Sequence, residues 1–182
     1  MDRARQAARN PVVLHNPATD ESFVVLRSAS DSNSEVFMLE FTMPAGRRQR
    51  THSHPKQETI VQVHEGTLHG WLGAEERVLL AGETFTIPPG VAHRLENRAD
   101  APARGVEQYR PAYRAQAYFE TLVALGRSGG QGPDLLQRAV LWRAYPETVG
   151  IPLLLAPLFF LLALLGRLAG RRHYLNPYPD AE

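Results

Sequence analysis

The sequence predicts a mainly β fold, an antiparallel sandwich or barrel, followed by C-terminal α-helices. Two β-branched and aromatic runs, SFVVLRS and EVFMLEFTM, lie near the start, and short apolar runs separated by turn residues continue to about residue 111. Beyond that point apolar residues recur at helical spacing. Many short strands with closely spaced turns are typical of a sandwich or barrel. We therefore divide the 182 residues into a flexible tail at 1–11, a barrel at 12–111 and a helical extension at 112–182.

The strands follow from alternation and from turn signals. EVFMLEFTM places Phe37, Leu39 and Phe41 on one face of a strand, because side chains alternate between the two faces. Gly- and Pro-containing turn signals then separate the later runs, at residues 44–46, 65–66, 73–76, 81–82 and 88–90. This spacing leaves room only for short strands.

The helices follow from a change of period after Pro111. Apolar residues over 114–126 recur at helical spacing, and Gly126 is placed as the residue that ends this helix. The stretch SGGQG at 128–132 predicts a flexible connector. Asp134 predicts the start of a second helix, which continues to about Ala144.

Composition excludes several function classes. Hydrophobic content of 43% and charged content of 21% are typical of a globular chain. A net charge of +1, without a basic stripe carrying aromatics, predicts no nucleic-acid partner. The absence of cysteine excludes disulfides, thiolate metal ligands and thiol catalysis. The opening MDRARQAARNP is not followed by an apolar core, so we expect no classical secretion signal and a cytoplasmic or membrane-associated protein.

Five of the seven histidines lie between His52 and His93, a concentration that indicates a metal site. On a strand, residues i and i+2 face the same side about 6.8 Å apart, so His52 and His54 can direct two imidazoles at one ion. In GETFTIPPGVAHRLEN, a Pro-Pro-Gly turn precedes a strand that places His93, Leu95 and Asn97 on one face. A third imidazole beside the pair makes a facial three-histidine site feasible.

Two motifs in these stretches resemble those of the cupin superfamily, in particular its small single-domain bacterial type. The first, GRRQRTHSHPKQETIVQVHEG, spans residues 46–66, and the second, GETFTIPPGVAHRLEN, spans 82–97. The resemblance covers roughly residues 35–110. It implies a jelly-roll barrel, or double-stranded β-helix, with a divalent metal held inside by His52, His54, His93 and Glu58. The motif positions implied to be structural are Gly46, Gly66, Gly82, Pro88, Gly90 and Asn97.

The place of Glu58 is decided by strand parity. In the usual cupin pattern the glutamate stands where this chain has Thr59, one residue later. A slip of one residue turns a side chain to the opposite face, and Thr59, Val61 and Val63 form the set expected to face inward. We therefore predict a three-histidine site, which Glu58 joins only if a β-bulge at 56–57 turns it inward.

Other polar residues near the motifs receive weaker assignments. His64 and His69 fit neither motif and are interpreted as half-exposed strand residues. Three arginines in the loop entering the site either steer an anionic substrate or are simply solvated: Arg47, Arg48 and Arg50. Three residues lie on the last strand: Glu107, Gln108 and Tyr109. Only one alternating set of them, either Gln108 or the pair Glu107 and Tyr109, can line the interior, and the sequence does not decide which.

The segment 148–166, TVGIPLLLAPLFFLLALLG, carries no charge and is followed by Arg167, Arg171 and Arg172. As one helix it would be about 28 Å long, close to the roughly 30 Å hydrocarbon core of a bilayer. Pro157, in its interior, predicts a kink or break. Three interpretations stay open: a transmembrane helix or interfacial anchor, a buried hairpin or dimer interface, or a lid over the barrel mouth.

The resemblance implies a metal-binding protein that acts on a small organic molecule. Non-haem-iron dioxygenase-like activity is favoured, with Fe(II) as the metal and Zn, Ni, Mn or Cu as alternatives. Two other hypotheses stay open: a non-catalytic ligand-binding or sensor module, membrane-attached through 148–166, and an isomerase or cyclase, either metal-dependent or using His54 or His93 as a base. Cupins commonly pair through barrel edges, so we expect a homodimer.

Overall fold

The computed structural model describes residues 13–128 and 133–175, so the predicted tail at 1–11 and most of the connector at 128–132 lie outside the described ranges. The β elements of the described chain are β1 Val13–Asn16, β2 Glu21–Arg27, β3 Phe37–Met43, β4 Glu58–Glu65, β5 Thr67–Leu72, β6 Glu75–Leu80, β7 Thr84–Ile87, β8 His93–Glu96 and β9 Ala103–Arg110. The helices are α1 Ala115–Arg127, α2 Leu135–Ala144 and α3 Ala156–Leu168, with a 3₁₀ turn at Leu153–Leu155. The predicted order of strands followed by helices is confirmed.

The strands form two antiparallel sheets whose facing sides enclose the core. The larger sheet has the order β1-β2-β3-β9-β4-β7, and the smaller has the order β6-β5-β8. In β3 the predicted set Phe37, Leu39 and Phe41 is buried, and it packs in one cluster with Leu68 and Leu95 of the smaller sheet. The predicted antiparallel sandwich or barrel is confirmed in this two-sheet arrangement.

Backbone conformation explains the glycines of the two motifs. Gly46, Gly66, Gly82 and Gly90 have φ values of 70°, 79°, 91° and 78°, in the region that residues with a Cβ avoid. At Gly66 a Cβ would also lie 3.1 Å from the Cα of Ala103 on the neighbouring strand. Gly46 follows β3, Gly66 lies between β4 and β5, Gly82 precedes β7 and Gly90 precedes β8, so these turns separate the strands of the two motifs.

Asn97 joins two loops beside the barrel. Its fully buried amide donates hydrogen bonds to the carbonyls of Met43 and Pro44, both at 3.1 Å, and to that of Ala101 at 2.9 Å. The side chain therefore ties the end of β3 to the loop before β9, and it holds the end of β8 in place.

Helix α1 packs against the barrel and shares its core. The Phe119 ring lies 5.6 Å from Phe23, 5.9 Å from Phe37 and 5.4 Å from Tyr109, between ring centroids. The prediction that Gly126 ends this helix is wrong, because α1 continues through Arg127. Gly126 is instead a close-contact position: a Cβ there would lie 1.9 Å from Oδ1 of Asn16.

The apolar segment 148–166 does not form one helix. It begins as irregular chain, makes the 3₁₀ turn, and becomes helical only at α3, which has 13 residues and is about 20 Å long. Pro157 lies in the first turn of α3, where its missing N–H costs nothing, and Pro152 precedes the 3₁₀ turn. No helix within 13–128 or 133–175 is long and apolar enough to cross a membrane, so the transmembrane helix, one of the three interpretations of 148–166, is not supported.

Candidate metal centre

Three histidines from two separate stretches meet at one point of the barrel. His93 begins β8, and it pairs with His52 through an isolated bridge in which each backbone N–H donates to the other residue's carbonyl, at 3.0 and 2.8 Å. The His52 ring centroid lies 4.3 Å from that of His93 and 5.0 Å from that of His54. One ring nitrogen from each histidine lies within 4.8 Å of the others. The HxH pair is thus carried by a short bridge, not by a regular strand.

Each of the three imidazoles is oriented by a backbone carbonyl. The Nδ1 atom of His52 lies 2.9 Å from the carbonyl oxygen of Arg50, and that of His93 lies 2.9 Å from the oxygen of Val91. A carbonyl can only accept, so each Nδ1 carries the proton and each Nε2 keeps its lone pair. The Nε2 atoms of His54 and His93 are buried and have no hydrogen-bond partner in the described chain.

Burial keeps the three rings neutral. Loss of solvation lowers the pKa of His54 to about 3 and that of His93 to about 4, and it also lowers the pKa of His52. The neighbouring imidazoles lower the values of His54 and His93 further, whereas the carbonyl hydrogen bonds act in the opposite direction. At neutral pH the site therefore presents neutral imidazoles, the form that binds a metal.

The residues present fit a divalent cation. The buried, unpartnered Nε2 atoms of His54 and His93 are costly to leave unsatisfied, and a metal ion would satisfy them together with the Nε2 of His52. The donor set is three imidazole nitrogens, which suits Fe, Zn, Ni or Cu.

Glu58 lies outside this group. It is the first residue of β4, a strand in which Thr59, Val61 and Val63 are buried while the intervening residues are partly or fully exposed. Alternation therefore places Glu58 on the face opposite Thr59. The chain is regularly paired there, with Glu58 opposite Arg110 and Thr59 opposite Tyr109, so no bulge turns Glu58 inward.

The segment that joins α2 to α3 completes the surroundings of the HxH pair. The Nδ1–H of His54 donates to the carbonyl of Thr148 at 2.6 Å, and the Gly150 N–H donates to the Ser53 carbonyl at 2.9 Å. The Lys56 N–H donates to the Glu147 carbonyl at 3.2 Å. We call 147–150 the closing segment. The helical extension thereby supplies part of the metal centre, which the sequence did not predict, because a carbonyl contributes no side-chain signal.

Glu107 and Tyr109 form the inward set on β9, whereas Gln108 is only partly buried. Burial raises the pKa of Glu107 to about 7, a hydrogen bond from Tyr109 lowers it, and the charge of Glu21 raises it further. The Tyr109 ring lies 5.3 Å from the His54 ring. Glu107, a buried carboxyl with a pKa of about 7, is therefore two residues from Tyr109, and the Tyr109 ring contacts the candidate ligand His54.

The remaining polar residues take no part in the three-histidine group. Arg47 pairs with the buried Glu21 at 3.1 Å, so it is committed within the protein, while Arg48 and Arg50 are exposed. His64 is exposed on β4. His69 lies 2.8 Å from Glu76, between Nδ1 and a carboxylate oxygen.

Comparisons with known proteins agree with this architecture. The family model for the cupin domain matches residues 39–109. Germin-like protein 1-1 from Oryza sativa subsp. japonica is 28% identical over 64% of this chain and 57% of its own length. The tetracenomycin polyketide synthase protein TcmJ of Streptomyces glaucescens is 30% identical over 48% of this chain and 58% of its own. This chain thus spans less than two thirds of both curated relatives.

Two solved structures share the fold. An RmlC-like cupin from Shewanella frigidimarina has a TM-score of 0.51 at 20% identity, covering 59% of this chain and 89% of its own. A "predicted oxalate decarboxylase" from Thermotoga maritima has a TM-score of 0.51 at 15% identity, covering 59% and 96%. The two-sheet barrel, both glycine-containing motifs, the family match and these shared folds lead to one conclusion: residues 39–109 of this chain form a cupin domain.

Proposed function

We propose that this protein is a metal-dependent enzyme that acts on a small organic molecule. One observation carries the proposal: three neutral imidazoles, each tied through Nδ1 to a carbonyl, bring one ring nitrogen each within 4.8 Å of the others. A bound divalent metal would supply Lewis acidity and open positions for substrate oxygen atoms. A relative named as a polyketide synthase protein supports an organic substrate.

Within this class we favour Fe(II) and dioxygenase-like activity. The donor set contains no carboxylate, so three neutral ligands leave the full charge of the ion to attract an anionic substrate oxygen. The part played by the chain is to keep the imidazoles neutral and oriented, and to exclude water with the apolar residues of β3 and β4. Zn, Ni, Mn and Cu are the competing metals.

Glu107 favours a second candidate, an isomerase or cyclase that works by proton transfer. A carboxyl with a pKa of about 7 can both accept and donate a proton near neutral pH. In this version the carboxylate of Glu107 would take a proton from a carbon beside a substrate carbonyl, and the C–H electron pair would move onto the carbonyl oxygen to give an enolate. The protonated Glu107 would then return the proton to a neighbouring carbon, while the Tyr109 hydroxyl holds the carboxylate through their hydrogen bond. The metal site would then hold the carbonyl oxygen.

The first test is metal content and its dependence on the site. Full-length protein is purified without chelator, and metals are measured for the wild type, His93→Ala and His64→Ala. His64 is an exposed histidine on β4, so its variant is the matched control. We expect about one equivalent of metal in the wild type and the control, and loss in His93→Ala. Equal metal in all three proteins would refute the three-histidine centre.

Nitric oxide then separates the two reaction classes, because it binds Fe(II) where dioxygen would. Iron-loaded protein that gives the high-spin iron–nitrosyl EPR signal, lost in His93→Ala, supports the dioxygenase-like proposal. A protein that retains zinc or nickel and gives no such signal with iron points to the proton-transfer candidate. Absence of any bound metal would instead support a ligand-binding module.

A further inference from the structure

Helix α3 presents an apolar face to solvent. Five large apolar residues on the solvent-facing side of α3, together with Leu154 of the preceding 3₁₀ turn, are 47–94% exposed. We call this set the apolar face of α3: Leu154, Phe160, Leu161, Leu164, Leu165 and Leu168. Exposed contiguous apolar patches on this scale mark interaction sites, since water-soluble surfaces seldom carry them without a partner. The face therefore calls for an occupant.

The orientation of the face is fixed by packing on the opposite side of the helix. Phe159 and Ala163 of α3 are buried in one cluster with Ala139 of α2. At Gly166 a Cβ would lie 2.8 Å from Cγ2 of Val140, so the two helices approach closely there. Because the side of α3 that carries Phe159, Ala163 and Gly166 is held against α2, the leucine-rich side points away from α2 and toward solvent.

The charges around the face favour an anionic surface. Residues 148–175 contain no Asp or Glu, and Arg167, Arg171 and Arg172 lie at or just beyond the end of α3. The guanidinium of Arg143 lies 4.3 Å from the ring centroid of Phe160, at the edge of the face. An apolar helix face bordered by arginines is typical of helices that lie in the interface of a bilayer with anionic lipids. Arg171 is already paired with Asp134 of the same chain, which leaves Arg167, Arg172 and Arg143 to bind an anionic surface. A second copy of this helix would bring apolar residues but no acidic partner for Arg167 and Arg172.

We propose that α3 lies in the headgroup–acyl boundary of an anionic phospholipid bilayer, with its apolar face in the lipid and its arginines on the phosphates. A helix of about 20 Å suits this orientation, parallel to the surface. Partitioning of α3 into the bilayer would hold the cupin barrel against the membrane surface. This proposal does not depend on which reaction the metal centre carries out.

Vesicle co-sedimentation of the full chain tests it. The probes are vesicles of phosphatidylcholine alone and of equal parts phosphatidylcholine and phosphatidylglycerol. The variant Leu161→Gln/Leu165→Gln changes residues that are 59% and 53% exposed, and Leu26→Gln/Leu80→Gln on the barrel is matched at 51% and 55%. We expect binding to the anionic vesicles only, weakened at least about ten-fold in the α3 variant and unchanged in the barrel variant.

Charge and folding are controlled separately. Arg167→Gln/Arg172→Gln, which leaves the Arg171–Asp134 ion pair intact, should also reduce binding to anionic vesicles, and circular dichroism checks that each variant is folded. Equal binding by the two leucine variants would overturn the proposal, as would no binding by the wild type to either vesicle. A dimer in light scattering that Leu161→Gln/Leu165→Gln dissociates, without vesicle binding, would assign the face to a second copy instead.

Discussion

Burial shifts the pKa of single residues inside the barrel in the direction that favours their neutral forms. Burial lowers the pKa of His54 and His93 and raises that of Glu107, because a low-dielectric interior disfavours any charge. Without a metal, the three-histidine group is therefore uncharged at neutral pH. Glu107, which lies outside that group, is partly ionised because its pKa is about 7. A divalent ion would bring the first full charge to the three-histidine group.

Replacing Glu107 by Gln should change how stability depends on pH. The pKa of Glu107 is about 7 in the folded protein against an ordinary value of 4.5, so folded protein holds this proton more tightly than unfolded protein. The resulting stabilisation is complete below the unfolded pKa and is lost as pH rises through 7. Between about pH 5 and pH 8, the free energy of unfolding of the wild type should fall by about 2–3 kcal/mol more than that of Glu107→Gln.

Urea unfolding of chelator-treated protein at the two pH values measures this difference. The exposed Glu75 on β6 provides the control, since Glu75→Gln should keep the pH dependence of the wild type. The same pH dependence in wild type and Glu107→Gln would show that the carboxyl of Glu107 ionises normally.

What the sequence predicts at this scale depends on how local the signal is. His93 was predictable because a Pro-Pro-Gly turn leads into β8, where alternation fixes its direction. The parity of Thr59 and Glu58 was predictable for the same reason. The three histidines do meet, but His52 lies in a short bridge, and neither it nor His54 is on the regular strand that the alternation argument assumed. The direction in which the Glu107 side chain points could be predicted only as one of two alternatives. Its raised pKa could not be predicted, because it depends on burial by strands that are distant in the sequence.

Among the elements, the closing segment at 147–150 couples the helical extension to the barrel. Its Thr148 carbonyl orients His54, and the Arg114 guanidinium binds both carboxylate oxygens of Glu147, at 2.8 and 3.2 Å, beside the start of α1. Gly150 sits so close to Ser53 that a Cβ would lie 2.1 Å from its Oγ. A side chain at position 150 would therefore push the segment away from the HxH pair.

Gly150→Val should weaken metal binding. Displacing the Thr148 carbonyl removes the acceptor that orients His54, and loss of such a partner typically costs 10- to 100-fold in affinity, so we expect at least about ten-fold. Zinc affinity, measured by competition with a chromophoric chelator, checks this without any substrate. Ser53→Ala alone should bind zinc normally, and adding it to Gly150→Val should restore part of the affinity because it removes the nearest clashing atom. Unchanged zinc affinity in Gly150→Val would mean that the closing segment does not orient His54.

The apolar segment shows where element prediction failed. Its composition allowed one helix of membrane-spanning length, but Pro152 precedes a 3₁₀ turn and Pro157 lies in the first turn of α3, so α3 begins only at Ala156. The side of α3 that faces the protein is decided by its contact with α2, which no local pattern encodes. The order of strands, turns and helices was predictable because alternation and turn residues act over a few positions.

Across the whole molecule, barrel and extension share one core. Phe119 of α1 lies among the rings of the larger sheet, Gly126 meets Asn16, and the closing segment bonds to Ser53 and Lys56. Contacts of this kind make separate unfolding of the two parts unfavourable, because opening the extension exposes the interior of the barrel.

We therefore expect the two parts to unfold in one transition. The chain has two tryptophans, Trp71 on β5 of the barrel and Trp142 on α2, so Trp71→Phe and Trp142→Phe each leave one reporter. In urea, the fluorescence transition of each variant should coincide with its transition by circular dichroism. Trp142 fluorescence that changes at lower urea than the circular dichroism signal would show that the extension opens first.

The three acceptors that orient the imidazoles are main-chain carbonyls, at Arg50, Val91 and Thr148. Substitutions at the exposed Arg50 or the partly buried Val91 therefore leave the acceptor in place, whereas the side chain of Thr148 is itself buried. The length of the chain around these positions is constrained instead. Inserting or deleting a residue next to any of the three would displace its carbonyl, whereas changing the side chain there does not remove the carbonyl. Among homologues, gaps in these segments will mark loss of the centre more reliably than changes of residue type.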